Sequence, residues 1–437
     1  MKASNYNVLF NYEGLDVGFN GVTQEFIILD ELMLELYRNG EQRKQFGELK
    51  EVYPQFYDFL VEKGFLIGED INQFEQLKEL SLKVDNRDDS YHLIINPTMN
   101  CNFKCWYCYE THIKDSKMDS DTKEKVISFV KRTIEDNPQI KKFSISWFGG
   151  EPLLYFDKVI RPILSEVVPY MKSKEIFFSC GITTNGLLIN QERLAFCKEH
   201  YLDSFQITLD GHRERHDKVR FISGEKGSYD KILDNIFLIA QNGLTTSVRV
   251  NCSVETLPGI PAILEDFERL DTAFKKNIHF DFHKVWQVSE DIEDNLRDYR
   301  LQFRDRGFRV RGGIYDTLTQ SCYADKKNHV TINYNGDVFK CTARDFKKED
   351  VEGTLNEDGT LDWNGKYHKR LSSKFKNPPC FECKIFPICG GGCSQHAIEN
   401  EGRDYCVHDF NEESKTKAVI GKFLETISNN ELEFTEI

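Results

Sequence analysis

The stretch HLIINPTMNCNFKCWYC, residues 92–108, joins an apolar run typical of a strand to three closely spaced cysteines. A cysteine-only zinc or iron–sulfur site normally uses four thiolates. Cys101, Cys105 and Cys108 are therefore one ligand short. Either a distant residue supplies the fourth ligand, or one metal position stays open for another molecule.

Strand-like and helix-like segments alternate on the carboxyl-terminal side of this stretch, up to about residue 310. The strand-like runs are HLIINPT, KFSISWF, IFFSCGITT, SFQITLD, TSVRVNC and IHFDFHKV, separated by helical patterns such as DTKEKVISFVKRTIED. Six such units predict an α/β fold with a parallel sheet. The cysteine loop, GGEP, TNG and DGHRERHDKVR each follow one of the first four strands. Because ligands bind beyond the carboxyl ends of parallel strands, we expect these loops to form one site.

Composition narrows the class of protein. The chain has 437 residues, of which 40% are hydrophobic, so it can bury a large core in two or three domains. Its net charge of −14 argues against a nucleic-acid partner. No secretory signal and no membrane-spanning run is apparent, which predicts a cytoplasmic protein without a membrane partner. Thirteen cysteines in such a chain indicate metal or redox chemistry rather than disulfides.

The amino-terminal region has a different rhythm. Residues 5–30 alternate apolar and polar side chains around turn sequences, and two helical patterns follow, ILDELMLELYRNG and LKEVYPQFYDFLVEKGFLIG. This order predicts a small sheet followed by helices. A charged helical connector from about Glu69 to Asp89 leads to the alternating region.

The spacing of Cys101, Cys105 and Cys108, with GGEP one unit later at residues 149–152, resembles the radical S-adenosylmethionine (SAM) superfamily. In that family three cysteines hold three irons of a [4Fe–4S] cluster, and the fourth iron takes the amino and carboxylate groups of SAM. The resemblance implies a partial (β/α)6 TIM-like barrel and an enzyme that makes a 5'-deoxyadenosyl radical. A zinc site is the alternative for the three cysteines taken alone.

The resemblance also assigns SAM-binding positions. Tyr107 matches a residue whose backbone faces adenine, the GGEP glycines permit close backbone approach to the amino group, and the T-L-D-G…H-D-x-x-R pattern supplies further contacts. Arg249 and Asn251 alternate with Val250 in a strand, so they are expected to point into the barrel. The predicted cofactor-binding residues are Tyr107, Gly149, Gly150, Glu151, Thr184, Asn185, Thr208, Asp210, Arg220 and Arg249.

Seven carboxyl-terminal cysteines have the spacing of a SPASM domain, which implies two auxiliary [4Fe–4S] clusters and three clusters in all. An outer cluster would have four ligands and an inner one only three, because FRVRGGIYDTLTQS before Cys322 contains no cysteine. The inner cluster then has either an open iron or an unusual ligand, and a zinc ribbon is the structural alternative. The ligands by resemblance are Cys380, Cys383, Cys389 and Cys406 for the outer cluster and Cys322, Cys341 and Cys393 for the inner one. Three lone cysteines are predicted to be small buried hydrophobes, namely Cys180, Cys197 and Cys252.

The amino-terminal order of strands and helices resembles the winged-helix-like peptide-recognition domain of radical SAM peptide maturases, which binds a leader peptide as an added strand. A purely structural cap is the alternative. We predict three domains: residues 1–85 for peptide recognition, 86–310 for the barrel, and 311–437 for the SPASM domain with a carboxyl-terminal helix.

The resulting hypothesis is a maturase that installs a thioether or carbon–carbon crosslink in a ribosomally made precursor peptide, with a reducing protein such as flavodoxin or ferredoxin as partner. One rival is an anaerobic sulfatase-maturating enzyme, which makes formylglycine. Those enzymes place an Asp after the cysteine that corresponds to Cys341, whereas this chain has Thr342 there and its nearest carboxylate at Asp345. The other rival is a non-catalytic scaffold that only delivers a peptide. The catalytic base is not assigned.

Overall fold

A computed structural model describes residues 1–222, 226–285, 287, 289–312 and 318–428. The strands within these residues, in chain order, are β1 Lys2–Ala3, β2 Asn7–Tyr12, β3 Leu15–Asn20, β4 Glu25–Leu29, β5 Leu66–Ile67, β6 Ser90–Ile95, β7 Lys142–Trp147, β8 Phe177–Thr184, β9 Leu202–Leu209, β10 Phe221–Ile222, β11 Lys226–Gly227, β12 Thr245–Cys252, β13 Ile278–Lys284, β14 Arg309–Val310, β15 His329–Ile332, β16 Asp337–Phe339, β17 Gly353–Leu355 and β18 Leu361–Trp363.

The α-helices of the same residues are α1 Glu31–Arg43, α2 Gly47–Val52, α3 Pro54–Glu62, α4 Gln73–Asp85, α5 Ser120–Asp136, α6 Arg161–Ser173, α7 Gln191–Glu199, α8 Arg213–Val219, α9 Tyr229–Gln241, α10 Ile260–Glu268, α11 Thr272–Lys275, α12 Glu293–Asp305, α13 Gly365–Leu371, α14 Phe386–Cys389, α15 Ser394–Glu399 and α16 Glu412–Ser428. Within the described chain, none of the helices is long and apolar enough to cross a bilayer.

The chain forms two units. The larger unit contains Asp88–Gly312 and Asn328–His368, and the smaller one contains Met1–Arg87 with the described residues of 313–327 and 369–437. Residues 328–368 belong to the larger unit because β15 pairs in parallel with β6. Each unit therefore includes part of the region that the sequence assigns to a SPASM domain, and the three-domain division stays a prediction.

The larger unit is built on one sheet with the order β14-β13-β12-β9-β8-β7-β6-β15-β16-β17-β18. The six predicted strand segments form β6, β7, β8, β9, β12 and β13, which all pair in parallel. Its end strands β14 and β18 do not pair with each other in the described residues. The predicted α/β fold with a partial barrel is confirmed.

The two faces of the parallel strands differ in polarity. Every second side chain is apolar and packs under the helices, for example Ile145, Ile182, Ile207, Val248 and Phe280, each at most 3% exposed. The alternate side chains are only partly buried and mostly polar, namely Ser146, Thr183, Gln206, Thr208, Arg249 and Asp281. Because strand side chains alternate between faces, the barrel has an apolar outer layer and a polar interior.

The smaller unit contains the predicted small sheet and helices. Strands β2, β3 and β4 form an antiparallel sheet, and helices α1–α3 bury one hydrophobic cluster that includes Ile27 and Leu29 of β4. Residues of α16, Val419 and Phe423, pack against β2–β4 side chains in a second cluster. The predicted connector forms α4.

The second amino-terminal helical pattern is two helices rather than one. Helix α2 ends at Val52 and α3 begins at Pro54, with Tyr53 between them in a non-helical conformation. Proline has no N–H for the preceding turn and disfavours a helical residue before it. The proline therefore divides a pattern that hydrophobic periodicity alone reads as continuous.

No disulfide joins any of the thirteen cysteines, all of which lie in the described part of the chain. The three lone cysteines Cys180, Cys197 and Cys252 are at most 2% exposed, so the prediction that they are buried is confirmed.

Candidate active site

A cavity of about 200 Å³ lies at the carboxyl ends of the parallel strands. The loops after β6, β7, β8 and β9 all reach its wall, together with the ends of β12 and β13. Twelve residues singled out from the sequence line it, namely Cys101, Cys105, Tyr107, Cys108, Gly149, Gly150, Thr184, Asn185, Thr208, Arg220, Arg249 and Asn251. Glu151 and Asp210 are not part of the cavity wall.

The GGEP loop is held against the cysteine loop by close backbone contact. Gly149 and Gly150 have positive φ values of 78° and 52°, and a Cβ on Gly150 would lie 2.3 Å from the carbonyl oxygen of Asn100. The Glu151 N–H donates to that same oxygen at 2.8 Å, and the Gly150 N–H donates to Oε2 of Glu110 at 2.7 Å. Only glycine fits at position 150, because it combines this backbone conformation with this approach.

Glu151 lies behind the wall and is fully buried. Its carboxylate accepts hydrogen bonds from the Thr184 hydroxyl at 2.7 Å, the Asn185 N–H at 2.7 Å and the Leu153 N–H at 2.9 Å. Burial raises the pKa of this carboxyl group. Glu151 thus connects the loop after β7 to the end of β8 and orients Thr184 and Asn185 towards the cavity.

Asp210, which is 3% exposed, likewise lies behind the cavity wall and connects several of its residues. Its carboxylate accepts from Nε of Arg220 at 2.5 Å, from the Tyr107 hydroxyl at 2.7 and 2.9 Å, and from Nδ2 of Asn251 at 2.9 Å. Arg220 also donates from an Nη atom to the Tyr107 oxygen at 2.6 Å. Burial alone would raise the pKa of Asp210. The Arg220 guanidinium, His216 and the hydrogen bonds from Tyr107 and Arg220 together outweigh burial and hold that pKa below its usual value.

His216 supports this network from behind. Its Nδ1 accepts the Asp210 N–H at 3.3 Å, so Nε2 carries the proton and donates to the Ser228 hydroxyl at 3.1 Å. The Ser228 hydroxyl in turn donates to the backbone oxygen of Arg220 at 2.5 Å. Burial, with the nearby Arg220 charge, lowers the pKa of His216 to about 3. The ring is therefore neutral at ordinary pH.

The three cysteines of the wall fit an iron–sulfur cluster with one open iron. Burial raises the pKa of the Cys101 thiol to about 12 and that of Cys108 to about 11, so a bound cation is needed to ionise them. In the described residues, no three His, Cys, Asp or Glu side chains converge on a single metal ion. A cluster does not require the three thiols to converge on one ion, because each cysteine ligates a different iron. The cavity beside the thiols leaves room for a further ligand.

The segment around Cys341 contacts the cysteine loop within the larger unit. The Tyr109 hydroxyl donates to the Thr342 backbone oxygen at 2.8 Å. The Thr111 N–H and hydroxyl donate to the two carboxylate oxygens of Asp345 at 2.8 and 2.5 Å. Asp345 is thus engaged in holding two loops together.

A second cysteine cavity, of about 50 Å³, lies in the smaller unit. Its wall includes all four cysteines predicted for the outer auxiliary cluster, Cys380, Cys383, Cys389 and Cys406. Burial raises the pKa of Cys389 to about 11. The three cysteines predicted for the inner cluster are divided between the units, because Cys341 belongs to the larger one and Cys322 and Cys393 to the smaller.

Several cavity residues were not predicted from the sequence. They are Glu110, His112, Gln206, His283 and Gln287, among others. Gln206 and His283 could have been found by the same alternation that identified Arg249, since they occupy the inward positions of β9 and β13. Glu110 and His112 follow the cysteine motif too irregularly for any period to indicate them.

Comparisons with known proteins agree with this site. The sequence profile of the radical SAM superfamily matches residues 95–273. The cysteine-type anaerobic sulfatase-maturating enzyme of Clostridium novyi is 30% identical over 342 residues, which are 71% of this chain and 90% of that protein. The radical SAM cyclopropyl synthase TigE of Paramaledivibacter caminithermalis is 24% identical over 385 residues, which are 79% of this chain and 77% of that protein.

Two solved structures share the fold. The enzyme anSMEcpe with bound AdoMet and the Cp18Cys peptide superposes with a TM-score of 0.60 at 20% identity, covering 78% of this chain and 100% of the other. Streptococcus suis SuiB bound to the precursor peptide SuiA superposes with a TM-score of 0.53 at 17% identity, covering 93% of this chain and 98% of SuiB.

The parallel partial barrel, the three-cysteine loop and these matches define a class: the chain belongs to the radical SAM superfamily. Within it, the protein is an enzyme of the group that contains the sulfatase-maturating and SPASM enzymes. It therefore uses SAM and a [4Fe–4S] cluster.

Proposed function

We propose that this enzyme is a peptide maturase that installs an intramolecular crosslink in a ribosomally synthesised precursor peptide. The observation that carries the proposal is the cavity where Cys101, Cys105, Cys108, the Gly149–Gly150 pair and Arg220 meet beside a polar barrel interior. Relatives named as sulfatase-maturating, and SuiB solved with a precursor peptide, support a peptide as the substrate.

The residues of the wall have distinct tasks in this proposal. Cys101, Cys105 and Cys108 would hold the cluster, which with bound SAM would supply a 5'-deoxyadenosyl radical for removing a hydrogen atom from the substrate. Gly149 and Gly150 permit close approach of a ligand to the backbone. Tyr107, Thr184, Asn185, Thr208 and Arg220 contact SAM.

The two buried carboxylates act through their neighbours. Glu151 fixes Thr184 and Asn185, and Asp210 fixes Tyr107 and Arg220. A side chain with several such bonds has few alternative rotamers, so the wall is arranged before any ligand binds. The sequence assigned Glu151 and Asp210 to direct SAM contact, whereas their places behind the wall favour a supporting role.

The smaller unit supplies a further element of the proposal. The strands β2 and β4 are the edges of their three-stranded sheet within the described residues. An extended leader peptide can join such an edge through backbone hydrogen bonds. We assign leader binding to this unit, the outer auxiliary cluster to Cys380, Cys383, Cys389 and Cys406, and the inner one to Cys322, Cys341 and Cys393. A cytoplasmic setting and a reducing protein such as flavodoxin or ferredoxin complete the proposal.

Formylglycine formation is the second candidate, because the similarity to the Clostridium novyi enzyme spans 90% of that protein. The hydrogen bonds of Asp345 weigh against it. Both carboxylate oxygens accept from Thr111, and Thr342 occupies the position after Cys341 where those enzymes place an Asp. This favours a crosslink over an oxidation that needs a free carboxylate base.

The test is anaerobic reconstitution with SAM, a reductant and the short precursor peptides encoded beside the gene. A mass loss of two hydrogens with a new crosslink in tandem mass spectrometry supports the proposal. Formylglycine on a sulfatase peptide supports the second candidate, and well-loaded enzyme that never cleaves SAM contradicts both. Iron of about twelve atoms per chain is expected for three four-iron clusters.

A further inference from the structure

The cavity wall contains two guanidinium groups in different electrostatic situations. Arg220 is paired with the Asp210 carboxylate at 2.5 Å. Arg249, half-buried in β12, forms no ion pair or hydrogen bond with any residue in the described part of the chain. The carboxyl group on the cavity wall, that of Glu110, accepts the Gly150 N–H. Arg249 therefore brings to the cavity a positive charge that has no ion-pair partner among the described residues.

Arg249 lies three residues before the carboxyl end of β12. It is in register with Thr208 of β9 and Asp281 of β13, two residues before Asn251. Asp281 is not part of the cavity wall and forms no ion pair with Arg249 among the described contacts. His283, the register partner of Asn251, does line the cavity. Burial, followed by the charge of Arg249, lowers the pKa of His283 to about 4, so this imidazole adds no positive charge at neutral pH.

A guanidinium in this position is suited to one kind of ligand. Its planar fork matches a carboxylate, and such charge-assisted pairs strengthen where water is scarce. The carboxylate of SAM is one source, and Arg249 is among the cofactor-binding residues predicted from the sequence. Under the proposed function, Arg220 on the same wall contacts SAM, which leaves Arg249 available to a second carboxylate.

We propose that Arg249 binds a carboxylate of the peptide substrate, from an Asp or Glu side chain or from the peptide's carboxyl terminus, and so places the residue to be modified in the cavity. This inference rests on the proposed function of the same site. It makes Arg249 a specificity-determining residue: the enzyme selects a peptide with an acidic group at a fixed distance from the modified position. An amide at that place leaves the guanidinium unpaired.

The experiment uses reconstituted full-length enzyme and the precursor peptides encoded beside its gene. Each Asp and Glu of the core peptide is changed to Asn or Gln in turn, and a separate peptide carries a carboxyl-terminal amide. We expect one of these changes to lower kcat/KM for peptide modification about 100-fold, the scale for removing one partner of a desolvated charge pair. The peptide whose modification slows by this amount identifies the source of the carboxylate.

Enzyme variants complete the test. Arg249→Gln should lose the preference for acid over amide at that position, and Arg249→Lys should retain part of it. For the Arg249→Glu enzyme, kcat/KM for peptide modification should rise at least about tenfold when the acidic residue of the peptide is replaced by Lys. A misfolded variant does not show this rescue. Arg213→Gln is the matched control, since Arg213 is a partly exposed arginine paired with Asp230 and is not part of the cavity wall.

Three results would overturn the inference. One is a wild-type enzyme indifferent to every acid-to-amide change and to the terminal amide. Another is an Arg249→Gln variant whose dissociation constant for SAM rises more than tenfold while its peptide preference is unchanged, because Arg249 then binds SAM. A wild-type enzyme that cleaves SAM but modifies none of the precursors contradicts the proposed function and this inference together.

Discussion

The Asp210–Arg220 pair offers the sharpest test of how the cavity wall is held. Their side chains are 4% and 9% exposed. Asp210→Asn keeps the shape of the side chain but removes the negative charge, and Arg220 is left as a buried cation facing an uncharged amide. Loss of one partner of a buried ion pair costs about 3–5 kcal/mol.

The same region supplies a matched control. Arg213 and Asp230 form an ion pair at 2.7 Å with side chains 40% and 66% exposed, and Asp230→Asn should cost at most about 1 kcal/mol because water screens the charges. For a unit of this size, 1 kcal/mol shifts the unfolding midpoint by about 2–4 °C. We therefore expect a fall of about 6–20 °C for Asp210→Asn and no more than about 4 °C for Asp230→Asn.

The assay is anaerobic scanning calorimetry of the two variants beside the wild type. Hydrogen exchange of residues 213–222 should show faster opening in Asp210→Asn alone, since Arg220 lies in this segment. The affinity of Asp210→Asn for SAM should also be lower than that of the wild type, because Tyr107 and Arg220, which Asp210 holds, line the cavity. Equal midpoints for the two variants would refute the view that this buried pair organises the wall.

Three further predictions concern single positions. Gly150→Ala should lower the iron content from about twelve to about eight atoms per chain, because the new Cβ would lie 2.3 Å from the Asn100 carbonyl oxygen and displace the cysteine loop. Gly243→Ala is the control: Gly243 also has a positive φ, but its Cβ would meet nothing within 4 Å, so this variant should keep its iron. His216 binds a proton in the unfolded chain below pH 6.5 but in the fold only near pH 3, so the free energy of unfolding should fall by about 1.6 kcal/mol from pH 6.5 to 5. A His216→Gln variant whose free energy of unfolding, measured by urea denaturation, falls as much over this pH range as that of the wild type would contradict this. Cys380→Ser should also remove about four irons per chain, and full iron content would exclude Cys380 as a ligand.

Much of the fold was predictable because its signals are local. Period-two alternation in six short segments, with helical patterns between them, specifies parallel strands whose carboxyl ends form one edge. The cysteine triplet and GGEP are also short motifs, and the tight turn and close approach at Gly150 follow from the residue itself. Where a local rule was overlooked, the prediction was wrong: Pro54 divides a helical pattern that appeared continuous.

What the sequence by itself determined is therefore the class of fold and the loops that carry the site. Only the tertiary structure decided which side chains meet across long separations. Tyr107 bonds to Asp210 at a distance of 103 residues, Glu151 to Thr184 at 33, and Tyr109 to Thr342 at 233. No period or spacing encodes such partners, because they depend on how strands and loops pack in three dimensions. The same holds for Arg249: its alternation predicts an inward direction, but only the packed barrel shows that no acidic residue in the described part of the chain forms an ion pair with it.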